Sequence, residues 1–118
     1  MRTDFFVIPV SGFLFYAYSK KHILFVADTD TLSDEEQKLM QAIANACGTA
    51  VKGSAQKKMP EQLNLQGINT VVFLGEKLSA YYVPQLKDSI AHVVTHSLKE
   101  MLTEPSLKKV VWHTIRSL

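Results

Sequence analysis

The chain has 118 residues, of which 47% are hydrophobic and 20% are charged. This length and balance predict a single domain, 1–118, with a buried core, and they exclude a disordered chain. The formal net charge of +2 is too small to indicate nucleic-acid binding by itself. Because Cys47 is the only cysteine, an intrachain disulfide and a cysteine-based zinc cluster are excluded, and we expect a cytoplasmic protein.

Two β-prone runs, 5–10 and 13–18, come first in the chain, with Pro9 and Gly12 at their junction. They predict a hairpin or an extended lead-in at the edge of a sheet, where proline is tolerated. The same apolar stretch is too short and too often interrupted to cross a bilayer, so we expect no membrane association.

The run 23–27 is continuously apolar and predicts a strand that is covered on both faces, as in a parallel sheet. Asp28 and Asp30 follow at its carboxyl end. Open α/β sheets place their sites there.

A helix is predicted over 33–47. Ser33 and Glu36 form the Ser-x-x-Glu pattern of a capping box, and Gly48 supplies the left-handed turn that ends many helices.

The middle of the chain contains one strong strand pattern among weaker segments. Residues 70–75 are β-branched and end at Gly75, which predicts a second core strand. Tyr81 and Tyr82 follow in a stretch, 76–87, with loop and weak helical character. The other predicted segments are a short strand at 49–52, a loop or short helix at 53–69, and a strand at 90–95.

Ser97 and Glu100 repeat the capping-box pattern directly after the strand at 90–95, and they predict a brief helix. Thr103 is predicted to cap a last helix, with Pro105 in its first turn. The predicted buried stripe of this helix comprises Leu107, Val110, Val111, Thr114, Ile115 and Leu118.

Strands that alternate with helical segments predict right-handed crossovers, an α/β fold and a mostly parallel sheet. The carboxyl ends of such strands share one edge. A candidate site at the strand ends therefore comprises Asp28, Asp30, His96 and Ser97.

Two interpretations of this candidate site stay open. Asp28 and Asp30 suit a metal or general-base site, or they satisfy backbone groups in a turn, which we favour. His96 suits an acid, a base or an electrophile, or it is a polar turn residue, which we also favour. No Gly-x-Gly-x-x-Gly or phosphate-binding loop occurs, and we expect no cofactor and no metal.

A candidate partner surface lies on the last predicted helix, where Lys109, Trp112, His113 and Arg116 share a face. A basic stripe beside a tryptophan suits an acidic partner or a nucleic-acid backbone. The alternative is a solvated helix face with the tryptophan packed at its edge.

Two further features extend the candidate surfaces. Tyr81 and Tyr82 suit an interface, although we expect at least one of them in the core. Lys57 and Lys58, together with the basic residues of the last helix, leave a nucleic-acid-binding module as a weaker alternative.

The segment 93–112 reads Val-Val-Thr-His-Ser-Leu-Lys-Glu-Met-Leu-Thr-Glu-Pro-Ser-Leu-Lys-Lys-Val-Val-Trp. It resembles the C-terminal part of the psi subunit of bacterial DNA polymerase III. That family has there a strand, a Ser/Pro-type turn, a short Leu-rich helix, a break, and a basic residue before an apolar-Trp pair. Residues 23–30 also resemble the family's first core strand and its polar end.

The resemblance implies a three-layer α/β/α architecture with a mainly parallel four-stranded central sheet, shared with uracil-DNA glycosylases. An N-terminal extended or hairpin segment would precede it. His96 and Ser97 match part of the glycosylase His-Pro-Ser loop, but the Gly-Gln-Asp-Pro-Tyr-His type loop is absent. We therefore expect no glycosylase activity.

Psi-type proteins are not enzymes, and they link the chi subunit to the clamp loader. The resemblance thus implies a non-catalytic adaptor with a chi-like or clamp-loader partner. The family's clamp-loader contact uses a Trp in an N-terminal extension, whereas the only Trp here is Trp112. The alternative is an enzyme or ligand-binding domain of the glycosylase-like fold that acts on nucleic acid or nucleotides.

Overall fold

Runs rich in β-branched and aromatic residues form four of the five described strands of one sheet, and segments with three- and four-residue apolar spacing form the longer helices. The computed structural model describes residues 12–18, 22–28, 33–47, 49–56, 63 and 65–116. In chain order their elements are β1 (Gly12–Tyr18), β2 (His22–Ala27), α1 (Asp34–Cys47), β3 (Thr49–Gln56), β4 (Thr70–Leu74), α2 (Lys77–Tyr82), a 3-10 turn (Val83–Gln85), β5 (Ala91–Thr95), α3 (Leu98–Thr103) and α4 (Leu107–Arg116).

The described strands form a five-stranded mixed sheet in the order β3-β1-β2-β4-β5. β1 pairs antiparallel with both β2 and β3, whereas the pairs β2–β4 and β4–β5 are parallel. The predicted α/β class is confirmed, but the sheet has five strands and is half antiparallel. Only residues 19–21 separate β1 from β2, which is too short for the crossover of a parallel pair.

β1 lies inside the sheet and not at its predicted edge, because β3 pairs along its other side. β3 continues past the predicted 49–52 through Gly53. A register shift between Leu14 and Tyr16 accommodates the longer pairing. The predicted strand at 5–10 lies outside the described residues.

Both faces of the central strands are buried, as predicted for 23–27. Alternate strand residues such as Phe25 and Val72 pack against α1, α3 and α4 on one face. The other face, with Leu24 and Phe73, packs against α2 and the turn after it. The continuous apolar runs of β2 and β4 follow from this double coverage.

Both predicted capping boxes are present. The Ser33 hydroxyl accepts from the Glu36 N–H at 3.2 Å, and the Ser33 N–H donates to the Glu36 carboxylate at 3.1 Å. The helix that follows, α1, buries Leu39, Met40, Ile43 and Ala44 against the sheet.

The last helix differs from its prediction. It begins at Leu107, after a turn, and Thr103 belongs to α3, where its hydroxyl donates to the Lys99 carbonyl. Val111 and Ile115 are buried as predicted, but Val110 is 49% exposed. Val110 is turned by about 100° around the helix from the buried Val111, which puts it at the border of the buried face.

Candidate functional site

A crevice of about 670 Å³ opens at the carboxyl ends of β2, β4 and β5, and we call it the strand-end crevice. Asp28, His96 and Ser97 all line it, as the sequence predicted. Asp30, the fourth predicted member, lies outside the described residues. The topology explains this convergence, because parallel neighbours bring their carboxyl ends to one edge of the sheet.

The Asp28 carboxylate caps the start of α2. One oxygen accepts from the Lys77 N–H at 2.8 Å and the other from the Leu78 N–H at 3.3 Å. Both N–H groups belong to the first turn of a helix, which leaves such donors without intrahelical partners. Asp28 thus accepts hydrogen bonds from backbone N–H groups, as the favoured interpretation has it. The helix that it caps is α2, which lies about fifty positions further along the chain.

Gly75 makes room for this cap. Its φ of +123° is a conformation that other residues rarely adopt, and a Cβ placed there would collide with the Asp28 carboxylate. The sequence predicted Gly75 only as the end of a strand. Its second role, as the close neighbour of Asp28, had no local signal.

Ser97 and Glu100 are also engaged with the backbone. The Ser97 hydroxyl accepts from the Glu100 N–H at 3.1 Å, and the Ser97 N–H donates to the Glu100 carboxylate at 3.0 Å. These bonds cap α3 and lower the pKa of Glu100, to which a charge on His96 adds a smaller effect in the same direction. Glu100 is a crevice residue that the candidate set had missed.

Burial is the main influence on the pKa of Asp28 and raises it. The two N–H groups that Asp28 caps, and the Lys77 charge, act in the opposite direction, while the Glu100 charge adds to the increase. Two carboxylates of one crevice therefore have pKa values displaced in opposite directions.

The lining of the strand-end crevice contains both apolar and charged side chains. Val94 is 43% exposed at its wall, beside the half-exposed Val110. Charged side chains of both signs surround them. They comprise Asp28, Glu36, Glu76, Lys77, Lys99 and Glu100. Within the described residues, no group of three or more His, Cys, Asp or Glu side chains is placed to hold a metal ion.

An open, shallow surface lies along α4, and we call it the α4 basic surface. Its lining consists of all four predicted residues and one more, namely Lys109, Trp112, His113, Arg116 and Lys108. The recurrence of these residues at three- and four-residue spacing places them along one side of the helix. Within the part of the chain that the structure describes, no carboxylate lines this surface.

The side chains of the α4 basic surface differ in exposure. Lys109, His113 and Arg116 are exposed, whereas Trp112 is half-buried and packs against the core beneath α4. Trp112 therefore combines an anchored inner part with an accessible outer part. The tryptophan thus packs at the edge of a solvated basic stripe, as the alternative interpretation of this helix face has it, and a partner on this face stays a prediction.

Tyr82 does not belong to a partner surface. It lies in α2 with its side chain fully buried, because α2 turns this residue toward the sheet. Burial, with a smaller contribution from Tyr81, raises the pKa of Tyr82 to about 12. Tyr81 is half-buried and meets the Tyr82 ring edge-on at a centroid distance of 5.0 Å.

Of the other predicted residues, Lys57 and Lys58 lie outside the described residues.

No protein-family model, curated protein or solved structure matches this chain. The resemblance to the psi family therefore stands on the sequence pattern of 93–112 and 23–30. In the part of the chain that the structure describes, no helix has the length and apolar character needed to cross a membrane.

Proposed function

We propose that this protein is a non-catalytic adaptor that resembles the psi subunit of bacterial DNA polymerase III and binds a protein partner through the α4 basic surface. The observation that carries this proposal is the grouping of cations around Trp112 on one side of α4, where the described lining residues include no carboxylate. Tryptophan and arginine are enriched where proteins bind each other.

The hydrogen bonds within the strand-end crevice support a non-catalytic role. A general base needs a free carboxylate or imidazole within reach of a substrate proton. Both Asp28 oxygens accept from backbone N–H groups, and Ser97 and Glu100 cap each other. Three of the polar groups best placed for chemistry thus have structural roles.

The resemblance extends the proposal to a chi-like or clamp-loader partner in DNA replication and to a three-layer α/β/α architecture. Coverage of the sheet by α1, α3 and α4 on one face and by α2 on the other supports that architecture. The antiparallel β1 and β3 are additions to the parallel core of β2, β4 and β5.

The test uses the full chain with purified chi and clamp-loader proteins of the source organism. We expect a stoichiometric complex in gel filtration with at least one of them. Lys109→Glu with Arg116→Glu weakens that complex, while Lys38→Glu, an exposed charge reversal on α1, leaves it unchanged. Absence of a complex with all of these proteins would remove the replication assignment.

A second candidate function rests on the open strand-end crevice, which has room for a small ligand. In this case Asp28, His96 and Ser97 act on or bind a nucleotide or nucleic acid. Uracil excision and nucleotide binding are measured with the wild type, Asp28→Asn and His96→Ala. Activity that is lost in His96→Ala supports this candidate, and absence of activity in the wild type eliminates it.

A further inference from the structure

We infer that the occupant of the α4 basic surface is a short acidic peptide segment of a partner protein, with an apolar side chain among its carboxylates. This inference deepens the proposed function, because it rests on α4 being the surface that binds a partner. It does not depend on the partner belonging to a replication assembly.

Charge complementarity selects an acidic occupant. Lys108, Lys109 and Arg116 line the α4 basic surface together with His113, and no acidic side chain among the described residues lines it. A segment with closely spaced carboxylates reduces the repulsion among these cations, and Arg116 offers paired N–H donors that fit a carboxylate. A basic or neutral segment gains none of these contacts.

The dimensions of the surface select a short segment. Lys108 and Arg116 are eight positions apart on a helix that rises 1.5 Å per residue, so the surface is about 12 Å long. An extended peptide advances about 3.3 Å per residue, and about four of its residues cover that length. Single-stranded nucleic acids need a longer groove with cations along it and several aromatic platforms.

Trp112 is the reason why we infer an apolar side chain in the bound peptide segment. Its inner part packs against the core, which fixes the position of the ring, and its outer part borders the cations. A ring held in this way presents an apolar edge at little entropic cost on binding. An aliphatic side chain placed between carboxylates reaches that edge while the carboxylates contact lysine and arginine.

The lone tryptophan makes the test direct, since Trp112 fluorescence reports on this surface alone. Three blocked peptides are titrated into the full chain, namely Glu-Glu-Leu-Glu-Glu, Gln-Gln-Leu-Gln-Gln and Glu-Glu-Gly-Glu-Glu, together with a dT12 oligonucleotide. We expect saturable fluorescence changes with the first peptide. We expect affinity at least about tenfold lower for the glutamine and glycine peptides, and weaker binding at higher salt.

Charge reversal locates the binding. Lys109→Glu with Arg116→Glu is expected to reduce affinity for the Glu-Glu-Leu-Glu-Glu peptide by about tenfold or more, whereas Lys38→Glu leaves it unchanged. Far-ultraviolet circular dichroism of both variants verifies that the fold is retained. Because the substituted side chains are exposed, we expect no loss of helix signal.

Several outcomes overturn the inference. They are equal affinity for the glutamate and glutamine peptides, tighter binding of dT12 than of any peptide, and no binding of any probe. Failure of the replication assignment is distinguishable from these. Acidic-peptide binding without a chi or clamp-loader complex removes only the replication assignment. Such a complex that is insensitive to the α4 reversal removes this inference and the placement of the partner on α4, but it leaves the replication assignment in place.

Discussion

The strand-end crevice and the α4 basic surface both contain charged residues, but they use their charges differently. In the crevice Asp28, Ser97 and Glu100 bond to helix-terminal N–H groups of the chain itself. On α4, Lys109 and Arg116 line a surface to which the described residues contribute no carboxylate. The first arrangement stabilises the fold, and the second leaves charge available to a partner.

This comparison shows that the position of a polar group in a fold does not determine its role. The carboxyl ends of parallel strands are the usual place for a site in an α/β sheet. Here the same position is occupied by caps for α2 and α3. Function is therefore assigned from the hydrogen-bond partners of each side chain and not from its location alone.

Gly75→Ala has the largest expected effect on the crevice. The added Cβ requires a disfavoured backbone conformation and displaces the Asp28 carboxylate, so we expect the free energy of unfolding to fall by about 3 kcal/mol. Gly67→Ala is the matched control. Its φ is +77° but its surroundings are open, so a loss of about 1 kcal/mol is expected. Equal losses in chemical denaturation would contradict the tight contact with Asp28.

Val111→Ala and Val110→Ala separate the buried and exposed sides of α4. Val111 is fully buried, and its truncation is expected to lower the free energy of unfolding by about 2 kcal/mol. Val110 is half-exposed, and a change within about 0.5 kcal/mol is expected. Thermal and urea denaturation measure both. The reverse order would mean that α4 packs on a different face.

Ser97→Ala tests whether the crevice serine has a structural role. Loss of the hydroxyl removes one acceptor at the start of α3, and we expect a loss of about 1 kcal/mol in the free energy of unfolding. Ser97→Thr retains the acceptor and is expected to retain most of that stability. Denaturant titrations measure both variants, and the capping role fails if alanine and threonine behave alike.

The smallest effects concern the pH dependence of stability. The pKa of Asp28 is raised above its ordinary value of 3.8, so its stabilising contribution is present below 3.8 and declines as pH rises through the folded-state pKa. Glu100 acts in the opposite sense. Its pKa is lowered from 4.5, so its contribution is present above 4.5 and is lost as pH falls through the lowered pKa.

Carbon-detected NMR titration measures these two carboxyl groups separately. We expect a midpoint above 3.8 for Asp28 and one below 4.5 for Glu100. Asp28→Asn is expected to leave the Glu100 midpoint below 4.5, because the Ser97 bonds are the main cause of that shift. A Glu100 midpoint at or above 4.5 in the wild type would contradict the capping geometry.

Local patterns predicted much of the fold. The apolar run 23–27, the Ser-x-x-Glu pairs and the spacing within α1 each act over a few residues, and each appears in the structure as predicted. The order of the strands in the sheet could not be predicted in this way. The pairing of β1 between β2 and β3 depends on backbone partners distant in sequence, for which single-sequence patterns contain no signal.

The two candidate sites also differ in how far local sequence patterns could predict them. Helical spacing was sufficient to group Lys109, Trp112, His113 and Arg116, because one helix carries them all. The partners of Asp28 were not predictable, since Lys77 and Leu78 follow it by about fifty positions and meet it only through the pairing of β2 with β4. Burial of Tyr82 in place of Tyr81 likewise depends on how α2 is oriented on the sheet.

The proposed adaptor role of α4 is tested most directly by NMR mapping of the 15N-labelled chain during titration with the chi and clamp-loader proteins of the source organism. We predict that the amide signals of 108–116 and the Trp112 indole signal shift or broaden first. We also predict that the signals of Asp28, His96 and Ser97 stay in place. Shifts centred on those three residues, with α4 unaffected, would contradict a partner surface on α4.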